Sequence, residues 1–261
     1  MDFLDFFFFQ GRISSFFIVH AGMIAATFFL IFHFRTSTEP VSTHHRTPEQ
    51  DYVPCFLLIG VVLFLILASF IPNKPEITNG LICMSLFFIG LIYYFIRYKS
   101  KDHLLKTIKE IDYFTLLLLS GLFLVIGSIE NAGVITAISD ILRELSGGNV
   151  FVIYTIIVWI SVLLSAFVDN IPYVATMLPV MTALSVSLGL ETPYVLYFGL
   201  LIGATLGGNL TPIGASANIT SIGILRKEGF EVKTWTFMKI GLPYTLSAVL
   251  VGYLLVWLIW S

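Results

Sequence analysis

The sequence predicts an all-α, polytopic membrane protein, and three observations carry that prediction. Hydrophobic residues make up 57% of the 261-residue chain and charged ones only 11%, against roughly 25% charged in an ordinary soluble domain. The mean hydropathy is +0.93. Apolar runs of roughly 17 to 22 residues recur along the chain, the length a helix needs to cross about 30 Å of hydrocarbon. These runs lack the polar stripe that a soluble amphipathic helix shows, so lipid is their expected surrounding. The net charge of −2, with no basic cluster among aromatics, gives no reason to expect nucleic acid as a partner.

Taken in order, Met1 to Gly11 is an aromatic interfacial lead-in without the basic start or cleavage site of a signal peptide. A first span is expected over Ile13–Phe34, with His20 as a polar contact inside a bundle. Residues 35–52 form a polar linker holding Pro40, Pro48, His44 and His45, and no acidic or cysteine partner makes that His pair a metal site. Spans follow over Val53–Ile71, stopped by the Pro72-Asn73-Lys74-Pro75 turn, and over Ile77–Tyr98. Leu104, Leu105, Ile108 and Ile111 then recur at helical spacing, as in an interfacial helix, before a span over Tyr113–Ile129. Ile135 to Leu145 reads as a surface helix closed by Gly147 and Gly148. Cys55 and Cys83 sit in or beside apolar segments without paired spacing and form neither a disulfide framework nor a metal centre.

Orientation follows from the cations. Eleven of the 14 Lys and Arg fall in 35–52, 97–112 and 226–239, which places those loops on the cytoplasmic side of a plasma (inner) membrane. Only Arg12, Lys74 and Arg143 fall on the other side.

Residues 150–261 hold the chemistry. Between Glu144 and Glu191 the sole charged residue is Asp169, in a setting where a carboxylate costs roughly 3 kcal/mol to insert. It belongs to the first interruption, Ser165-Ala166-Phe167-Val168-Asp169-Asn170-Ile171-Pro172. A cytoplasmic turn would collect Lys or Arg and this one has none, so 150–190 is expected to be a re-entrant hairpin whose tip reaches mid-membrane. Asn170 is expected to cap the returning helix and Pro172 to occupy its first turn. The second interruption is Gly207-Gly208-Asn209-Leu210-Thr211-Pro212-Ile213-Gly214-Ala215-Ser216-Ala217-Asn218, inside the uncharged stretch 193–225. Irregular backbone at membrane depth is tolerated only inside protein or along a cavity, so this is expected to be an unwound link in a broken helix. Thr211 is expected to cap the second half-helix and Pro212 to begin it. Gly199, Gly203 and Gly207 fall four apart and give one smooth face for a neighbouring helix. The last span is expected over 240–260.

Candidate ion- or substrate-binding residues are Asp169, Asn170, Gly208, Asn209, Thr211, Ser216 and Asn218, with freed carbonyls from Leu206 to Asn209 as further ligands. Pro172, Gly207, Pro212 and Gly214 are the helix-breaking positions. A sodium ion would be expected at Asp169, Asn170 and Asn209, or a proton on Asp169. Sodium or a proton is the only cofactor-like species anticipated, as a coupling ion. A carboxylate-dyad enzyme would need a second acid, and no other Asp or Glu lies in an apolar span, so no enzymatic role is expected.

These two motifs, with Lys227-Glu228-Gly229-Phe230 after them, resemble the ion transporter superfamily, in the branch of arsenite permeases, sodium/proton antiporters and the P protein, beside the citrate and dicarboxylate carriers. The resemblance implies a secondary transporter of a small ion or anion, built from two inverted repeats, each with scaffold spans, a hairpin and a broken helix, usually as a homodimer. Arsenite efflux is the alternative it implies. Dicarboxylate carriers have Ser-Asn-Thr at such tips. Asp169-Asn170-Ile171 stands there instead and favours a cation or proton. On this likeness 1–34 is the last span of a first repeat otherwise missing, 53–149 the scaffold and surface helix of the second, and 150–261 its transport region. A partner carrying the missing N-terminal repeat is then expected, or else a non-transporting half.

Overall fold

The computed structural model describes residues 3–37, 51–75, 77–99, 132–190, 193–227 and 229–261, with isolated positions between 108 and 128. The interfacial helix expected near 103–112 and most of the span expected over 113–129 lie outside the described residues. The protein is all-α, apart from two-residue strands at Phe8–Phe9 and Arg12–Ile13, and it is a multi-pass membrane protein by its helices. Ser15–His33, Thr78–Arg97 and Thr234–Trp260 are each long and apolar enough to cross a bilayer, and Val53–Ser69 is a shorter apolar helix.

The chain divides into two compact units, 1–10 with 38–116 and 11–37 with 117–261. In the first, α2 (Val53–Ser69) and α3 (Thr78–Tyr98) form a helical pair. Pro54 falls in the first turn of α2, where its missing N–H leaves no bond unmade. The pair is pinned by Asp51. Its carboxylate accepts from the backbone N–H of Val53 at 3.0 Å and from the Tyr93 hydroxyl at 3.0 Å, and lies 3.6 Å from Nε of Arg97. The start of α2 and the end of α3 therefore share one side. Most of the large apolar side chains on both helices are exposed, as suits a lipid-facing pair.

The second unit is organised around α7 (Tyr194–Gly207), of whose 14 residues ten are buried. Its glycine ladder meets α5 (Val150–Ser165), which runs parallel to it. A Cβ on Gly199 would lie 2.7 Å from the Tyr154 ring, one on Gly203 2.5 Å from Val158 O, and one on Gly207 2.6 Å from Val162 Cα. The smooth face read from the sequence is thus filled by another backbone. α9 (Thr234–Trp260) packs along α7 through Gly252, which faces Ile202, and closes the end nearest Trp260 with aromatic contacts. There the Tyr154 hydroxyl donates to Tyr253 O at 2.6 Å and the two rings stack at 5.0 Å. α1 (Ser15–His33) is antiparallel to α9, with Gly22 against Ala248 O. Arg12 donates to Ile259 O and sits 5.7 Å over the Trp260 ring. His20 makes local contacts with Phe16, a bond from its ring nitrogen to Phe16 O at 2.7 Å and a ring contact at 4.0 Å.

α4 (Val134–Ser146) is the expected surface helix. Gly147 and Gly148, both at positive φ, end it, and the chain turns by 119° into α5, whose first amides bond the Asn149 side chain. α6 (Asn170–Ser187) returns between α4 and α7, tied by the Tyr173–Ser161 hydroxyl pair at 3.0 Å and the Thr182–Tyr197 pair at 3.0 Å. α8 (Ser216–Lys227) follows the second break and exposes most of its side chains. The last helix starts at Thr234 and not at 240, carrying Pro243 inside it. Its first turns are too polar to read as a span, yet they extend the same helix.

Candidate functional site

Both interruptions exist as breaks in helix, and they meet. At the first, α5 stops at Ser165, whose hydroxyl donates to Ala204 O at 2.6 Å and fastens the stop to α7. Asp169 then takes an extended conformation and caps α6, its Oδ1 accepting from the Ile171 N–H at 3.3 Å. At the second, α7 passes into a 3-10 turn over Gly208–Leu210, Thr211 is extended, and helix resumes at Ser216.

Two hydrogen bonds join the breaks and two more brace the second. The Thr211 hydroxyl donates to Ala166 O, a carbonyl at the end of α5 that has no helical partner of its own. Ser216 donates to Asp169 Oδ2 at 2.7 Å. Within the second break, the Asn218 amide donates to both Gly208 O and Thr211 O, each at 3.0 Å. Gly214 is the point of closest approach. A Cβ on it would lie 2.6 Å from Gly208 O, 2.8 Å from Ala166 O and 2.9 Å from Ser165 O. Backbone oxygens from both interruptions thus converge where only glycine fits. The junction is rich in acceptors, and its donors are the side chains of Thr211, Ser216 and Asn218.

The second break also packs against α9. Gly241 lies against the Asn209 and Leu210 carbonyls, which a Cβ there would meet at 2.9 Å and 3.1 Å. Beyond Gly241, α9 continues for about 29 Å towards Trp260, while only about 10 Å precede it. The second break thus lies against α9 nearer its start than its middle.

The family profile described as "Citrate transporter" matches residues 2–203, which take in the first break and end just before the second. The chain belongs to the citrate transporter family. It is similar to an uncharacterized transporter of Mycobacterium tuberculosis H37Rv, 34% identical over 200 residues, covering 76% of this chain and 46% of the relative. It is also similar to an uncharacterized transporter of Synechocystis, 28% identical over 239 residues, with 82% and 51% covered. The P protein of Sus scrofa is 29% identical over 235 residues, with 86% and 27% covered. The chain spans about half the length, or less, of these relatives. No solved structure matches it.

Within this family member, Asp169, Gly208, Thr211, Ser216 and Asn218 are brought together as expected from the sequence. Asn170 is adjacent but turned to a cleft of about 550 Å³ with Ile171, Val174, Leu178, Leu201 and Thr205. Asn209 is not part of the cluster. Its amide donates back to Leu206 O at 3.2 Å and it lines a different cleft of about 330 Å³, beside Leu30, Phe237 and Tyr244. The structure therefore does not bring the expected sodium set of Asp169, Asn170 and Asn209 together, since Asn170 and Asn209 line separate clefts. Likewise, the caps are corrected. Asp169, not Asn170, caps α6, while Pro172, as its third residue, lies in the first turn as expected. Thr211 and Pro212 do not start a half-helix, because the Thr211 hydroxyl is held by Ala166 across the junction. Two residues escaped the sequence reading. Ser165 was legible only as part of a motif, and Thr205 stood as the one aliphatic hydroxyl in α7.

Proposed function

We propose that this protein belongs to a secondary active transporter of a small ion, coupled to sodium or protons, and that the junction of the two breaks handles the ion. The observation that supports this reading is the meeting itself. Two non-helical segments, far apart in sequence, form one cluster of a carboxylate, backbone carbonyls and small polar side chains. Unwound backbone between half-helices is where transporters bind ions, and membership of a family of membrane transporters supports the same reading. Asp169 takes up a proton or faces a cation. Either event changes the strength of its bond from Ser216, and with it the hold of the hairpin on α8. We place the protein in the plasma (inner) membrane with 35–52, 97–112 and 226–239 cytoplasmic.

The test is Asp169→Asn in the whole protein, reconstituted in proteoliposomes. Asparagine keeps Oδ1 to accept from the Ile171 N–H and turns its Nδ2 to donate to the Ser216 hydroxyl, so the cap and the contact survive while the charge is lost. Ion-coupled flux is expected to fall to background, and flux that remains fully coupled refutes the role.

A second reading, efflux of arsenite or a related oxyanion, is favoured by the cleft beside Asn170. The described residues lining it carry no charge, and Asn170 and Thr205 supply its polar groups. Such a wall suits an uncharged, hydroxyl-bearing solute. Thr205→Val is expected to reduce arsenite flux while leaving sodium- or proton-driven flux intact. Equal flux in both assays removes this reading.

A further inference from the structure

We infer that Asn218 is a built-in competitor of the cation. Its side-chain NH₂ holds the two carbonyl oxygens that a cation entering the second break has to take, so the ease with which this amide leaves sets how tightly the cation is held. This inference deepens the transport reading and rests on it.

The geometry is specific. Nδ2 of Asn218 lies 3.0 Å from Gly208 O and 3.0 Å from Thr211 O, so its two hydrogens are spent on two carbonyls of one loop. The same Gly208 oxygen points at Gly214, alongside the oxygens of Ser165 and Ala166. A small, hard cation takes oxygen ligands, backbone carbonyls among them, and an amide NH₂ is a neutral stand-in for it, presenting partial positive charge to the same lone pairs. Asn218 lies in the first turn of α8, a helix that exposes most of its side chains and reaches the junction through Ser216 and Asn218. The group that must leave is thus carried on the element least held by packing. Asn209 is no substitute, since its own amide is turned to Leu206 O.

The experiment follows the thermal unfolding of the purified whole protein in detergent as NaCl or LiCl replaces choline chloride at fixed ionic strength. In the unaltered protein the melting temperature is expected to rise saturably with Na⁺ or Li⁺. Asn218→Ala removes the competitor. Its half-saturating Na⁺ concentration is expected to fall about tenfold, because two neutral hydrogen bonds need no longer be broken. Its melting temperature in choline alone is expected to fall below that of the unaltered protein. Asn218→Asp, nearly isosteric but without the NH₂, guards against a folding defect in the alanine variant and is expected to depend on Na⁺ still more steeply. Half-saturation that is unchanged or higher in both variants overturns the inference, and a higher value shows Asn218 to be a ligand. Failure of the transport reading looks different: the unaltered protein itself then melts at one temperature in Na⁺, Li⁺ and choline.

Discussion

Gly214 has no room for a methyl group. Its neighbours are three backbone oxygens at 2.6 to 2.9 Å from a would-be Cβ, and backbone cannot swing aside as a side-chain end can. Gly214→Ala is expected to cost about 1–3 kcal/mol, read as a lower melting temperature in detergent. Gly223, inside α8, has nothing within 4 Å of its would-be Cβ. Gly223→Ala is therefore expected to leave stability unchanged or raise it by up to about 1 kcal/mol, by removing a flexible residue from a helix. Equal losses in the two variants would mean that the convergence of oxygens at Gly214 is not what constrains the break. The contrast shows what residue-level reading can reach. Gly, Pro and Asn inside apolar runs were enough to locate both interruptions. The partner of Thr211 was not legible, because Ala166 O lies 45 positions away and a Thr-Pro pair looks locally like a helix start.

Among elements, the tightest joint is α5 against α7. Three glycines face Tyr154, Val158 and Val162, themselves four apart, so the two helices match turn for turn. Gly203→Leu is expected to separate them and to abolish folding, whereas Tyr154→Phe, which only leaves Tyr253 O without its donor, is expected to cost about 1 kcal/mol. Thermal unfolding of both variants ranks the contacts. The α2–α3 pair offers a different balance. Asp51 joins a helix cap, a phenol and the partly exposed Arg97. Asp51→Asn keeps the acceptor for the cap and the phenol and is expected to lose less than about 1 kcal/mol, as partly exposed ion pairs do. Asp51→Ala loses all three contacts and is expected to melt lower. Here the spans were legible from hydropathy alone, within two residues at most ends. The start of α9 was not, since Thr234 to Lys239 carries polar residues that only continuity with the following helix explains.

For the whole molecule, the helix ends give a consistent sidedness. Arg12 lies beside the end of α9, and Leu30 lies near Phe237 at its start. With the cation bias of the loops, this predicts that Glu231→Cys reacts with a membrane-impermeant maleimide only after permeabilisation, and that Glu144→Cys reacts in intact cells. Both are to be built on a Cys55→Ser, Cys83→Ser background. The reverse pattern overturns the orientation. The place where the second break meets α9 is a property of this scale and no local pattern encodes it, because it depends on how Gly241 is set against Asn209 and Leu210 and Gly252 against Ile202.

The glycine ladder has a mechanical consequence. Helices that touch backbone at Gly203 and Gly207, with an aromatic ring wedged against Gly199 one turn earlier, cannot slip past one another without climbing over the next residue, so α5 and α7 travel as a single stiff plank. Ser165 and Gly207, at the ends of that plank, then keep a fixed separation through any cycle of motion. On the transport reading proposed above, motion falls to parts that the plank does not grip, and α8, which exposes most of its side chains, is one of them.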